Sequence, residues 1–283
     1  MIVGSRGHTG WRALAWHALL ILVCLAMLYP VLWMVASSFK PESEIFTDLR
    51  PWPPGFSPRA YIEGWFGLQH PFGRYFLNSA IVASLSVVGN VIACSLAAFA
   101  FARLDFPLKR LWFTLMLGTL MLPYHVTLVP QYVLFQHLGW VDTFLPLVVP
   151  KFDAADAFFI FLMVQFFRGI PRELDEAATI DGCGPFRLYL MVILPLSMPV
   201  LATAAIFSFI WTWDDFFGPL IYLNDAANYT VPLALRAFVD SSGRSEWGPL
   251  FAMSTLSLVP VFLVFLLGQR LIIRGIATGG LKG

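Results

Sequence analysis

Six long apolar runs constrain this chain more than any other feature. They lie near residues 13–36, 76–102, 111–134, 143–167, 200–223 and 250–273. Crossing a bilayer takes about 20 residues of helix, and each run is long enough, so six spanning helices is the simplest count. The composition agrees: 58% of the 283 residues are hydrophobic and 12% are charged, with mean hydropathy +0.74, whereas soluble domains carry about 25% charge. A soluble protein of this size has no means of hiding so much apolar surface, so lipid is the expected solvent. The fold class read from this pattern is an all-α integral membrane protein of one domain, 1–283.

Arg6 and Arg12 precede the first run as they would a signal peptide. The run is longer than a signal core of about 7–15 residues, so an uncleaved first span is expected. Lys and Arg set the direction of insertion. With the N-terminus inside, eleven of the eighteen Lys and Arg fall in cytoplasmic segments, including Lys109, Arg110, Arg270 and Arg274 at membrane edges. Both termini are then cytoplasmic.

The net charge of +1 argues against a nucleic-acid partner. Cys24, Cys94 and Cys183 are scattered, which fits inert thiols rather than a disulfide framework or a zinc cluster. Residues 40–73 form an external segment whose prolines deny it a long helix. Residues 224–248 form a second external loop. No repeat of clear period and no low-complexity segment is present.

The longest cytoplasmic connection is 168–199. Its first part reads as a short helix. Pro171 fits the first turn, where its missing N–H costs nothing, and Glu173, Asp175 and Glu176 place negative charge at the positive end of the dipole. Gly182 is the expected stop, with φ > 0 after the last turn. Leu174, Ala177 and Ala178 share a small, smooth face that a partner's groove could approach closely. A second helix starts at Gly184-Pro185, with Phe186, Tyr189, Leu190, Ile193 and Leu194 along one side. Pro195 and Pro199 then bend the chain into the fifth span. On spacing alone, a loop that merely joins two helices remains an equal reading.

The run Glu176-Ala177-Ala178-Thr179-Ile180-Asp181-Gly182 resembles the EAA motif of bacterial and archaeal ABC importer permeases. The pattern continues through Phe186, Ile193-Leu194-Pro195-Leu196 and Pro199. Further segments resemble the sugar-importer branch, and within it the second permease of a maltose-type system: Asn78-Ser79, Ala98-Phe99-Ala100-Phe101-Ala102-Arg103, Trp213-Asp214-Asp215-Phe216 and the ending Gly279-Gly280-Leu281-Lys282-Gly283. That family usually has Asn where this chain has Asp214, and commonly Ala where it has Cys183.

The resemblance implies a coupling loop between spans 4 and 5 that docks on a separate ATP-binding subunit. Glu176, Ala177, Ala178, Asp181, Gly182, Phe186 and Pro195 would carry the coupling. The tail, 275–283, with Gly279, Gly280, Lys282 and Gly283, would reach towards the ATPase. It further implies a second permease forming a heterodimer with this one, two ATPase subunits that bind ATP and Mg, and an external solute-binding protein or lipoprotein. Location in a bacterial or archaeal inner membrane follows, as does a sugar substrate, with glycerol phosphate esters or polyols as the alternative. This chain itself would be no enzyme and hold no cofactor. None of its four lysines follows a glycine, so a phosphate-cradling Gly-Lys-Ser/Thr loop is absent. An ion-coupled carrier acting alone would need acids near the midplane. A membrane enzyme would need convergent catalytic groups, and the five histidines are dispersed.

Candidates for the translocation path follow from polar residues within the spans. A central Asp costs about 2.5–3.5 kcal/mol. Asp214 lies 15 residues past Pro199, about 22 Å along a helix, hence in the outer third of a core about 30 Å thick. Asp214 and Asp215 are either a polar end at the external interface or the lining of a cavity open to the outside. Trp211 and Trp213 are belt anchors or platforms for sugar rings. His125 and Gln131, flanked by Pro123 and Pro130, suit a broken segment or simple packing. Lys151, Asp153 and Asp156 are expected to pair among themselves. The Gly218-Pro219 step is expected to loosen the fifth helix.

Overall fold

In the computed structural model, which describes residues 10–48, 50, 55–239 and 246–279, every regular element is helical. The order is α1 (Gly10–Ser37), a 3-10 turn (Glu42–Glu44), α2 (Arg59–Phe66), α3 (Phe72–Arg103), α4 (Lys109–Thr119), α5 (Tyr124–His137), α6 (Leu145–Val148) and a 3-10 turn (Val149–Phe152). There follow α7 (Ala157–Gly169), α8 (Glu173–Ile180), α9 (Pro185–Leu188), a π turn (Tyr189–Ile193), α10 (Leu194–Leu196), α11 (Met198–Trp213), α12 (Phe217–Tyr222), a 3-10 turn (Ala226–Asn228), α13 (Val231–Arg236) and α14 (Trp247–Gly279).

Three helices are long and apolar enough to cross a membrane unaided: Ala13–Ser37, Phe72–Arg103 and Trp247–Leu271. A fourth arises if Pro185–Leu196 and Met198–Trp213, bent by 78°, count as one. The runs 111–134, 143–167 and 200–223 are not single helices, contrary to the simplest reading of their apolarity. Leu122 precedes Pro123, whose ring disfavours the α conformation one residue upstream, and α4 and α5 part there. Ala154, with φ 57, interrupts the next run before α7. The fifth run breaks at Asp214–Phe216, earlier than the Gly218-Pro219 step, which lies inside α12. There the Asp215 carboxylate accepts the Gly218 N–H at 3.1 Å, a local bond that competes with the helical ladder. Apolar periodicity cannot report such breaks, since lipid-facing residues stay apolar on either side of them.

The described residues group into two compact units. The first comprises the chain up to Gln69 together with Ala237–Leu256. Among the described residues of 40–69, the regular elements are the 3-10 turn and α2, short as the prolines there lead one to expect. Both Glu42 carboxylate oxygens accept N–H groups at the start of α14, from Trp247 at 2.8 Å and Gly248 at 2.9 Å, which sets an anion on the positive end of the helix dipole. Trp33 meets Phe251 edge-on at 5.4 Å. Lys40 is buried and gives its protons to the carbonyls of Asp48 and Arg50.

In the second unit α3 is the central strut, with α7 and α11 packed along it. Cys94, Ala98, Phe99, Phe159, Met163 and Ile193 form the heart of its core. Gly89 permits a close approach here: a Cβ would stand 2.5 Å from the Phe152 ring. Polar links replace apolar packing at the loops. Asp142, at φ 65, accepts the N–H groups of Asn224 at 3.0 Å and Asp225 at 2.9 Å through Oδ1. Asn78 at the start of α3 donates to the carbonyls of Ala227 and Tyr229.

Candidate coupling site

Helix α8 is short and acidic at its start, with Glu173, Asp175 and Glu176 in the first turn. Pro171 sits two residues ahead of it rather than in that turn, and Arg172 is the N-cap. The C-terminus closes by two backbone bonds: Gly182 N–H to Thr179 O at 3.0 Å and Cys183 N–H to Ala178 O at 2.9 Å. That is the paired closure favoured by a left-handed residue after the last turn, and Gly182 has φ +79.

The inner side of α8 is held by its own chain. Arg103, at the end of α3, has its side chain 2% exposed and forms an ion pair with Asp175 at 3.2 Å. It also donates to the Ile170 carbonyl at 2.8 Å. Ala178 is buried in the core beside Leu188 and Tyr189, so the expectation that it offers a smooth face to a partner is corrected. Spacing shows which residues share a face, and here part of that face meets the chain's own helices. The Tyr189 hydroxyl is bonded to Ser95 Oγ at 2.7 Å. Beyond it, the N–H of Leu194 reaches back to Tyr189 O. This π register absorbs the hydrogen bond that Pro195 cannot make.

The outer side is open. Glu176, Ala177, Asp181, Gly182, Phe186 and Pro195 are exposed, and Ile180 and Phe186 expose 86% and 67% of their surface. Ile180 was not singled out from the sequence, although an isoleucine beside a glycine stop in a polar loop is a readable signal. A cavity of about 340 Å³ opens beside α8, lined by Arg103, Arg172, Asp175, Glu176, Thr179 and Leu188 among others.

The path candidates separate. Trp211 and Asp215 line one small cavity of about 80 Å³, together with Lys151, Ser79 and Thr230. Asp214 is exposed and does not line it. Trp213 is buried: its Nε1 donates to the Ser257 carbonyl at 3.1 Å and its ring stacks on Phe209 at 5.5 Å. It packs the core, which corrects its place among path residues. Gln131 is half-buried in α5, well apart in sequence from that cavity's lining. His125 lies in the first turn of α5 and its side chain falls outside the described residues. Lys151 pairs with Asp156 at 3.4 Å, while Asp153 instead accepts the Ala155 N–H at 3.1 Å. Helix α14 runs to Gly279; Gly280, Lys282 and Gly283 lie outside the described residues.

Residues 89–278 match the family described as binding-protein-dependent transport system inner membrane component. The chain is 37% identical over 264 residues to the probable ABC transporter permease protein YurM of Bacillus subtilis, covering 93% of this chain and 87% of that one. It is 33% identical to the diacetylchitobiose uptake system permease protein NgcG of Streptomyces coelicolor, with the same coverage of 93% and 87%. It is 32% identical to the sn-glycerol-3-phosphate transport system permease protein UgpE of Yersinia pestis, covering 92% and 94%. A solved bacterial ABC transporter involved in import of the acidic polysaccharide alginate shares the fold, with TM-score 0.81, 21% identity and coverage of 95% and 99%.

Proposed function

Because the chain belongs to the family of inner membrane components of binding-protein-dependent transport systems, we propose that it is one of two permease subunits of an ATP-driven sugar importer. Its partners are a second permease, two ATPase subunits that bind ATP and Mg, and an external solute-binding protein. The broken runs complete six crossings with both termini cytoplasmic, in a bacterial or archaeal inner membrane. Membership of this family leaves an ion-coupled carrier acting alone without support. The glycerol phosphate alternative keeps one specific observation in its favour, the likeness to a glycerol-3-phosphate permease.

The observation that carries the reading is the two-sided character of α8. From behind, Arg103, Ala178 and Tyr189 tie it to α3 and the core. In front, Glu176, Ala177, Ile180 and Asp181 are exposed among the described residues, with the exposed Phe186 of α9 following them. Burying a side chain such as Ile180 or Phe186 against a partner is worth about 1.5–3 kcal/mol each. A helix gripped outside and tied inside transmits displacement, so closure of the ATPase dimer pulls on α3 and the core through it. The tail residues Gly279, Gly280, Lys282 and Gly283 add a second reach towards the ATPase.

The test is reconstitution of the whole importer with Gly182→Pro. Proline holds φ near −65° and cannot supply the +79 that closes α8. ATP-driven uptake is expected to vanish while the external protein still captures solute. Uptake at the unsubstituted rate defeats the proposal. Ile180→Asp is expected to weaken co-elution of the ATPase with the permease.

A further inference from the structure

The corner that joins α3 to α4 gathers basic side chains, and they differ in what holds them. Arg103, the last residue of α3, turns inward to Asp175. Lys109 is held locally: its Nζ donates to the Leu104 carbonyl and lies 3.4 Å from the Asp105 carboxylate. Arg110 and Arg168, the latter near the end of α7, are exposed, and neither pairs with a carboxylate among the described residues. These two border one ring. The Arg168 guanidinium stands 5.3 Å from the centre of Phe113, a cation–π contact that fixes where its charge is held. Arg110 precedes Phe113 by three residues in α4, so the two are neighbours on the helix surface. Phe113 itself packs edge-on against Phe101 of α3 at 5.3 Å.

The same corner leaves apolar surface in the open. Leu108 sits at φ 58, a left-handed conformation that is uncommon and costly for a residue with a Cβ. It is nevertheless 65% exposed, so burial within the described chain does not offset that strain. Leu111 and Trp112 follow, 49% and 54% exposed. Leucine and tryptophan interleaved with cations are the composition of the headgroup layer of a membrane, where an indole meets water on one side and acyl chain on the other.

We propose that Arg110 and Arg168 bind the phosphate of an anionic phospholipid, with the apolar residues of the corner embedded at the level of its glycerol and upper acyl chains. Complementarity selects this occupant. A free anion satisfies the arginines and leaves Leu108, Leu111 and Trp112 facing water. An apolar protein surface covers those three and leaves two guanidiniums without a counter-charge. A phospholipid of net negative charge answers both with one molecule. Guanidinium forks suit phosphate oxygens through paired N–H bonds, and each cation close to an anionic surface strengthens its hold about fivefold. A zwitterionic lipid has the phosphate but adds an ammonium of its own, so its net charge offers the pair less.

The experiment is native mass spectrometry of the delipidated protein, kept with the subunits that co-elute with it. It is titrated with phosphatidylglycerol or with phosphatidylcholine of the same chains, and the Kd of the first lipid bound is read. Phosphatidylglycerol is expected to bind the tighter. Arg110→Gln combined with Arg168→Gln is expected to weaken it about thirtyfold, two charges at about fivefold each, and to leave phosphatidylcholine unchanged. Arg270→Gln removes an exposed cation near the other end of the chain and is expected to change neither. Glycerol phosphate, the soluble probe, is expected not to displace phosphatidylglycerol at equal concentration; displacement assigns the arginines to a free phosphate and overturns the lipid site. Equal Kd for the two lipids, the result expected if an acidic protein surface fills the patch, overturns it too. So does an unchanged phosphatidylglycerol Kd in the double variant, or an equal loss in Arg270→Gln. Should the double variant fail to assemble, Arg168→Gln decides alone, with about a fivefold loss expected. No arm of the experiment reads transport, so its outcome is independent of the importer reading.

Discussion

At the scale of single residues, Asp142 shows a strained position repaid by its partners. A non-glycine residue at φ 65 costs about 1–2 kcal/mol, and Asp tolerates it better than most because its side chain bonds locally. Here Oδ1 takes the N–H groups of Asn224 and Asp225, and the Asn228 amide bonds the Asp142 carbonyl at 2.9 Å. These donors favour the ionised form. The Asp225 N–H is the chief cause, with Asn224 and Asn228 adding to it against the opposing effect of burial, and the carboxyl is held below its ordinary range. The sign for stability follows. A depressed native pKa contributes in full above the unfolded value, near 3.9, and is lost as pH falls through the native one. Asp142→Ala is expected to lower stability by about 1–2 kcal/mol at pH 7, an estimate kept small because the group is partly exposed. Asp142→Asn, which keeps an acceptor and tolerates the same φ, is expected to lose less. Thermal unfolding of the purified importer from pH 7 downward checks both, and the gap between wild type and Asp142→Ala is expected to narrow only well below pH 4. Neither the positive φ nor the staple is legible at Val141-Asp142-Thr143, because its partners lie more than eighty residues away.

At the scale of elements, α8 is where local chemistry and tertiary contact meet. Its acidic first turn and its glycine closure are readable from the order of residues, since dipole and φ constraints act within one turn. Its orientation is not. Leu174, Ala177 and Ala178 share a face by spacing, yet only Ala178 is buried, in the core cluster that holds Leu188 and Tyr189. The Arg103–Asp175 pair is expected to behave as a buried unit. Asp175→Asn leaves a buried guanidinium poorly compensated and is expected to cost about 3 kcal/mol, whereas Arg103→Met combined with Asp175→Leu is expected to recover most of it. A double-mutant cycle on thermal unfolding measures the coupling, and purely additive losses would refute it. Gly182→Ala isolates backbone strain, since a Cβ there meets nothing within 4 Å. A loss of about 1–2 kcal/mol is expected, with uptake reduced rather than abolished. The same contrast governs the broken helices. Pro123 and Pro195 announce a disturbance in sequence, whereas the bond from Gly218 N–H to Asp215 at the break after α11, though local, leaves no mark on the apolar pattern.

At the scale of the whole molecule, the decisive expectation is topological. In a background without Cys24, Cys94 and Cys183, Asp181→Cys is expected to react with impermeant thiol reagents only from the cytoplasmic side and Asp225→Cys only from the outside. Labelling of both from one face would overturn the proposed six crossings and the coupling role of α8 together. The amino-acid order by itself determined the solvent and the class: only lipid accommodates 58% hydrophobic residues with 12% charge, and a helix satisfies its backbone wherever that lipid surrounds it. It also marked the segment 171–199, because capping and motif chemistry are local. Tertiary structure alone decided which polar groups converge. Ser79, Lys151, Asp215 and Thr230 are spread over some 150 positions and meet at one cavity, while Trp213, one residue from the acids, turns into the core. Helical periodicity tells how side chains are arranged around their own axis; what each face meets is set by how helices pack, and no single helix carries that information.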